Sequence, residues 1–384
     1  GHHCFVNTLI PEPNPWHPAD CSFEEYVERL KKEVSGAQKV LISSEMLTKA
    51  IDLNHLKLII SELAEKIKII VYLRRQDDFA ESIYAERIKN LLETGTFSEF
   101  CESAVAVEKF NYLKLCEKWG RVFGDENVIV RPFEKSQLKQ ASIHADFLNT
   151  LGIEFDDSFD FSGQPLNQAL AREETELIRL MNHASLNHQT KRKIVNAFLR
   201  NQLDSKAPKQ SYWTNERRQL FMSAWEPINT KVAKKYLNRP SGILFSEAPK
   251  ADKIIFTKLS EKRGGDLLKK LFKYDPELKG ELLRSFEETE CSFSKNIYKL
   301  IYNQNGFRKK TGICADFFKK IKFLRYRFII HLGGPKTGSS AIQYFLRQNQ
   351  RKLIEQGFYY AWHPVDPNGV SSGNGKEICS ALID

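Results

Sequence analysis

The stretch His331-Leu-Gly-Gly-Pro-Lys-Thr-Gly-Ser-Ser340 decides how this chain is read. It follows RYRFIIHL at 325–332, an apolar run of strand length, and precedes a helix predicted over 340–356. Glycine permits backbone conformations closed to other residues and lets a ligand approach the main chain. Successive N–H groups and a helix N-terminus then attract an anion. Lys336 adds a formal charge, and Thr337, Ser339 and Ser340 add hydroxyl donors. With Gly334, Pro335 and Gly338 they make a candidate phosphate cradle.

This is not the spacing of the nucleoside-triphosphate loop GxxxxGK[ST]. Gly333 and Gly338 stand the right distance apart, but Ser339 occupies the lysine position and the lysine lies inside the loop. A magnesium-coupled clamp on β- and γ-phosphates is unsupported, which disfavours an ATPase or an ordinary kinase.

Outward from this loop, IKIIVYL at 67–73 is the strongest strand signal in the chain, bounded by Arg74-Arg75 and followed by a helix from about 77 to 92. Arg74 leaves a strand end with a fork of donors suited to phosphate, and Ser82 falls on the first turns of the next helix. Shorter signals are a strand at 39–43 (KVLIS), helices at 23–34 and 52–66, a helix–strand pair at 108–123 and 127–131, and mostly helix from 140 to 237. Strands alternating with helices imply an α/β fold, a P-loop-like parallel sheet flanked by helices and joined by right-handed crossovers.

The chain has 384 residues, 41% hydrophobic and 28% charged, a globular mixture. No apolar run reaches membrane-spanning length and the N-terminus shows no signal-peptide pattern, so a cytoplasmic location is expected. The seven cysteines are scattered without a CxxC pair. A disulfide framework and a zinc site are therefore disfavoured, and no metal is expected. Net charge is +10, and most of it lies in 251–325, where 18 Lys/Arg face 10 Asp/Glu. Either an anionic partner or a solvated basic helical face explains that block. Pro240, Gly242 and Pro249 precede it, dividing the chain into 1–245, a basic and mainly helical connector at 246–324, and 325–384.

The strand-PKTGSS-helix unit resembles the 5′-phosphosulfate loop of sulfotransferases that use 3′-phosphoadenosine 5′-phosphosulfate (PAPS). IKIIVYLRRQDDFAESIY at 67–84 resembles that family's 3′-phosphate element, in which a serine follows an arginine by eight positions, as Ser82 follows Arg74. NYLKLCEKWGRVFGDENVIVRPFE at 111–134 and FLNTLGIEF at 147–155 extend the likeness to bacterial and carbohydrate sulfotransferases. It covers roughly 1–245 and 325–384 and not 246–324. The family places its phosphosulfate loop before the 3′-phosphate element. Here the order is reversed, which reads as a circular permutation with Asp384 and Gly1 close in space.

The resemblance implies a sulfotransferase fold, PAPS as donor, 3′-phosphoadenosine 5′-phosphate as product and a carbohydrate hydroxyl as acceptor. Lys336 would follow charge onto the leaving phosphate. Glu45, after the strand at 39–43, matches the family's general base, while a helix-start acid is the plainer reading of that residue. His2 and His3 are further acceptor-side candidates, with an ordinary surface segment as their alternative. Lys209 and Tyr212, in KQSYW, stand where the family brings a late loop over the nucleotide, although an aromatic there also fits a core. Arg131, at a strand end, is a further phosphate candidate. A non-catalytic nucleotide or acidic-glycan module and a kinase-like phosphotransferase remain the rivals. Nucleic acid is not the expected partner, since the basic block alone would suggest it.

Overall fold

The structure, a computed structural model, describes residues 28, 37–48, 52–160, 170–183, 186–201, 210–248, 254–287, 326–332 and 337–360. In chain order the first half contains β1 (Lys39–Ser44), α1 (Leu53–Leu63), β2 (Ala64–Leu73), α2 (Gln76–Lys89), α3 (Phe97–Glu102), α4 (Ala104–Phe110), α5 (Tyr112–Phe123), β3 (Val128–Pro132) and α6 (Ile143–Leu151). Then come α7 (Arg172–His183), α8 (His188–Asn201), β4 (Gln210–Ser211), α9 (Asn215–Leu237), β5 (Ile254–Ile255), α10 (Glu261–Tyr274) and α11 (Pro276–Glu287). The last elements are β6 (Tyr326–Leu332), α12 (Ser339–Gln348), α13 (Gln350–Glu355) and β7 (Phe358–Tyr360). The predicted helix at 23–34 lies outside the described residues, Glu28 apart.

Five strands form one sheet in the order β3-β2-β6-β1-β7, every neighbour parallel. Parallel strands need crossovers, and the helices that provide them cover both faces, so the strands are apolar on both sides. Side chains alternate accordingly. Val40, Ile42, Ile69, Val71, Phe328 and Ile330 join the core beneath α1, α2, α5 and α7–α11. Leu41, Ile70 and Tyr72 join a second core against α6, α12 and α13. The helices after β1 and β2 thus pack on one face, and the helix after β6 on the other.

Local chemistry sets the element ends. Asp52 caps α1, its Oδ1 accepting from the N–H groups of Asn54 and His55. The helix predicted at 108–123 is two helices, because Asn111 leaves helical geometry and caps the second, accepting from Lys114 N. The helix predicted to 66 stops at Leu63. Residues 64–66 pair with β6 instead, across a register shift between Ala64 and Lys66.

The expected connector at 246–324 is not set apart where it is described. Leu267, Leu271, Leu278 and Leu282 are buried in the same core as β1 and β2. That face of the two helices is apolar and closes over α7 and α8, while the lysines take the outside.

Candidate functional site

Register puts the interesting strand ends side by side. Leu332, last in β6, pairs with Val71 of β2 on one side and with Ser44 of β1 on the other. The Gly-rich stretch therefore starts between two strand ends. Glu45 follows Ser44 at once, opening the turn Glu45–Thr48, and Arg74 follows Leu73. Three neighbouring strands span about 10 Å, comparable to a nucleotide. Glu45, Arg74 and the start of α12 thus share the C-terminal edge of the sheet.

Gly338 caps α12 with φ 81°, in the left-handed region. A Cβ there would meet Phe133 at 3.0 Å and Ile143 at 3.1 Å, so the position needs glycine for both space and conformation. Thr337 and Ser339 are buried with their hydroxyls 3.2 Å apart, and Ser340 is half-buried. Gly334, Pro335 and Lys336 lie outside the described residues, as do Lys209, His2, His3, Gly1 and Asp384.

Where β6 ends sits a group of neutral side chains that the sequence did not single out. His331, fully buried, places Nδ1 2.9 Å from Ser43 Oγ. Gln343, in the first turns of α12, donates from Nε2 to the same Ser43 Oγ at 3.1 Å. Tyr72 and Phe147 meet the imidazole edge-on. Among the described residues its Nε2 has no hydrogen-bond partner. Burial pushes the His331 pKa down to about 3, so the ring is neutral.

The end of β2 is built differently. Arg75 donates from Nε and Nη2 to both oxygens of Asp77, at 2.7 and 2.9 Å. Arg218 donates to Asp77 Oδ2 at 2.6 Å, and Trp213 Nε1 donates to the Asp77 carbonyl at 3.0 Å. Burial alone would raise the Asp77 carboxyl. The hydrogen bond from Arg75 and the charges of Arg75 and Arg218 outweigh it and hold the carboxyl below the usual carboxylate range. Arg75 is thereby committed to the start of α2. Arg74, half-buried, has its carbonyl held by the Tyr112 hydroxyl. Ser82 is half-buried on the second turn of α2.

Two expectations are corrected. Tyr212 is not available to stack on adenine: Phe97 stacks on its ring at 4.7 Å and the Arg172 guanidinium lies over it at 4.8 Å. Tyr84 and Phe256 meet it edge-on, so it is a core aromatic. Its segment docks on α2, with Ser211 Oγ and Tyr212 N donating to Glu81 Oε1 at 2.6 and 2.7 Å. Arg131 is also committed elsewhere. It pairs with Asp146, donating from Nε at 2.9 Å, and Asp146 also accepts from the Tyr72 hydroxyl at 2.7 Å.

No family model matches the chain, and no solved structure matches it. An uncharacterized protein of Archaeoglobus fulgidus is similar to it, 25% identical over 181 residues, which is 47% of this chain and 48% of that protein. The chain spans about half the length of the curated relative it matches. Among the described residues no group of His, Cys, Asp and Glu could hold a metal ion, and no helix is long and apolar enough to cross a membrane.

Proposed function

We propose that the chain is a sulfotransferase that moves a sulfonate from PAPS to a hydroxyl, with a carbohydrate as acceptor. The observation that carries this is the pairing of β2 with β6. Two stretches far apart in sequence, each resembling one half of a PAPS site, come from adjacent strands and end at one edge. That edge is also where the helix after β6 turns to one face and those after β1 and β2 to the other. Open α/β sheets bind ligands at such switch points, outside the carboxyl ends of their strands.

The sheet order supports the permuted reading of a sulfotransferase fold. With 325–384 placed before 1–245, the strands run β6, β7, β1, β2, β3, so that β6 begins the fold and occupies its centre. Neighbouring β7 and β1 would then follow one another.

In this reading the acceptor oxygen attacks sulfur in line while the bond from sulfur to the bridging phosphate oxygen breaks. Glu45 takes the acceptor proton, and Lys336 stays with the bridging oxygen as negative charge gathers there. Arg74 and Ser82 hold the 3′-phosphate. Thr337, Gly338, Ser339 and Ser340 offer donors to the 5′ side. Catalysis by positioning and electrostatics suffices for such a transfer.

The deciding experiment is calorimetry with 3′-phosphoadenosine 5′-phosphate in the absence of magnesium. Micromolar binding is expected. No binding, together with ATP turnover in magnesium, would replace this function with a kinase-like one.

A further inference from the structure

We propose that His331, Ser43 and Gln343 act as one clasp that fixes where α12 begins relative to the end of β6, and so sets the hold on the 5′-phosphate side of the donor. The second half of this statement rests on the sulfotransferase reading. The first half rests on geometry alone.

The three side chains belong to three different elements. His331 is the penultimate residue of β6, Ser43 the penultimate residue of β1, and Gln343 the fifth residue of α12. Strand register already sets Ser43 opposite His331. What register cannot fix is the helix, which begins only after the turn. Gln343 makes that connection, its amide donating to the hydroxyl that faces His331. One serine oxygen thus ties both ends of the turn to a neighbouring strand.

The clasp is buried and neutral, two properties that suit a positioning device. His331 and Ser43 are almost wholly excluded from solvent, so a donor nucleotide does not reach them directly. A hydrogen bond in such surroundings has strict geometry and no water to replace it. Tyr72 and Phe147, neighbours of each other, both pack edge-on against the imidazole. The orphaned Nε2 points the same way: the ring is held by its Nδ1 side and by packing. Small errors in the start of α12 would move its first N–H groups relative to a phosphate, and hydrogen bonds weaken steeply with such misalignment. His331, Ser43 and Gln343 are positioning residues, not catalytic ones.

The test uses Ser43→Ala, Gln343→Leu and the double variant, which leave the buried imidazole in place. Two nucleotides are compared by calorimetry: 3′-phosphoadenosine 5′-phosphate, and adenosine 3′-phosphate, which lacks the 5′ group. Each single variant should weaken the bisphosphate about three- to ten-fold, the size of one lost hydrogen bond, and leave adenosine 3′-phosphate within about two-fold. The double variant should lose no more than the worse single, because one clasp can be opened only once. Equal weakening of both nucleotides, or additive losses, would overturn the positioning role. Hydrogen exchange of the amides in 339–343 gives a reading independent of any ligand. It should quicken several-fold in each variant, with exchange in β3 unchanged. If wild type binds neither nucleotide, the sulfotransferase reading falls while exchange still judges the clasp, and unchanged exchange would refute it.

Discussion

The ends of β2 and β6 lie next to one another and solve the same problem by opposite means. Both must hand the chain from a strand to the helix that follows. At β2 the holding groups are charged, with Arg75 and Arg218 converging on Asp77. At β6 they are neutral, a histidine, a serine and a glutamine. Ions can be buried where each meets its counter-ion in good geometry, and α2 brings both signs together. Beneath α12 the described residues set no counter-charge against the ring: Tyr72 and Phe147 pack on it, and the nearby carboxylate, Asp146, pairs with Arg131. A neutral histidine is the form that such surroundings permit. The difference teaches that this edge uses charge only where a counter-ion is close, and neutral hydrogen bonds with packing elsewhere.

The most severe way to break the charged end is Asp77→Ala, which strands two buried guanidinium groups. A loss of about 3–5 kcal/mol is expected from urea unfolding. A loss below about 1 kcal/mol would mean that water reaches the two arginines, and the contrast between the strand ends would collapse. Next in size is Lys336→Ala. In the proposed function Lys336 supplies the cation on the 5′ side, and its removal should slow sulfonate transfer about 10²–10³-fold with the unfolding midpoint unchanged. Near wild-type turnover would reassign that role. Gly338→Ala should cost about 1–3 kcal/mol of stability, since alanine must adopt φ 81° against Phe133 and Ile143. A neutral result there would show that the start of α12 yields more readily than a clasped turn should.

The smallest effect concerns pH. Folded His331 stays neutral down to about 3, whereas the unfolded chain protonates this histidine near 6.5. Between those values the unfolded state binds the extra proton, so stability falls as pH falls. Wild type should lose up to about 1.4 kcal/mol per pH unit relative to His331→Asn as pH drops below about 6.5. Parallel curves from pH 7 to 5 would place the ring in contact with water.

What the sequence disclosed follows the range of the forces involved. The strands β1, β2, β3 and β6, read at 39–43, 67–73, 127–131 and 325–332, were legible because apolar runs are local signals. β7 escaped notice, since Phe358–Tyr360 is too short to show a pattern and becomes a strand only by lying against β1. The Gly-rich turn announced itself by composition, whereas its support did not. Ser43 and His331 are 288 positions apart and Asp77 and Arg218 are 141 apart, and nothing in either neighbourhood advertises the partner. Tyr212 misled for a related reason. Its aromatic ring suits a nucleotide or a core equally, and the choice was made by Phe97 and Arg172, distant in sequence.

The central place of β6 also bears on how the molecule is made. β1 and β2 do not pair with each other; each reaches the sheet by bonding to β6, which lies between them. Synthesis runs from the N-terminus, so β1 and β2 leave the ribosome long before the strand that joins them. Until it arrives, each has an unpaired edge in an apolar segment, an invitation to wrong pairing. Closure of such a gap from so far along the chain is intrinsically slow. Completion of the sheet and completion of the edge at which β1, β2 and β6 end are therefore one late event.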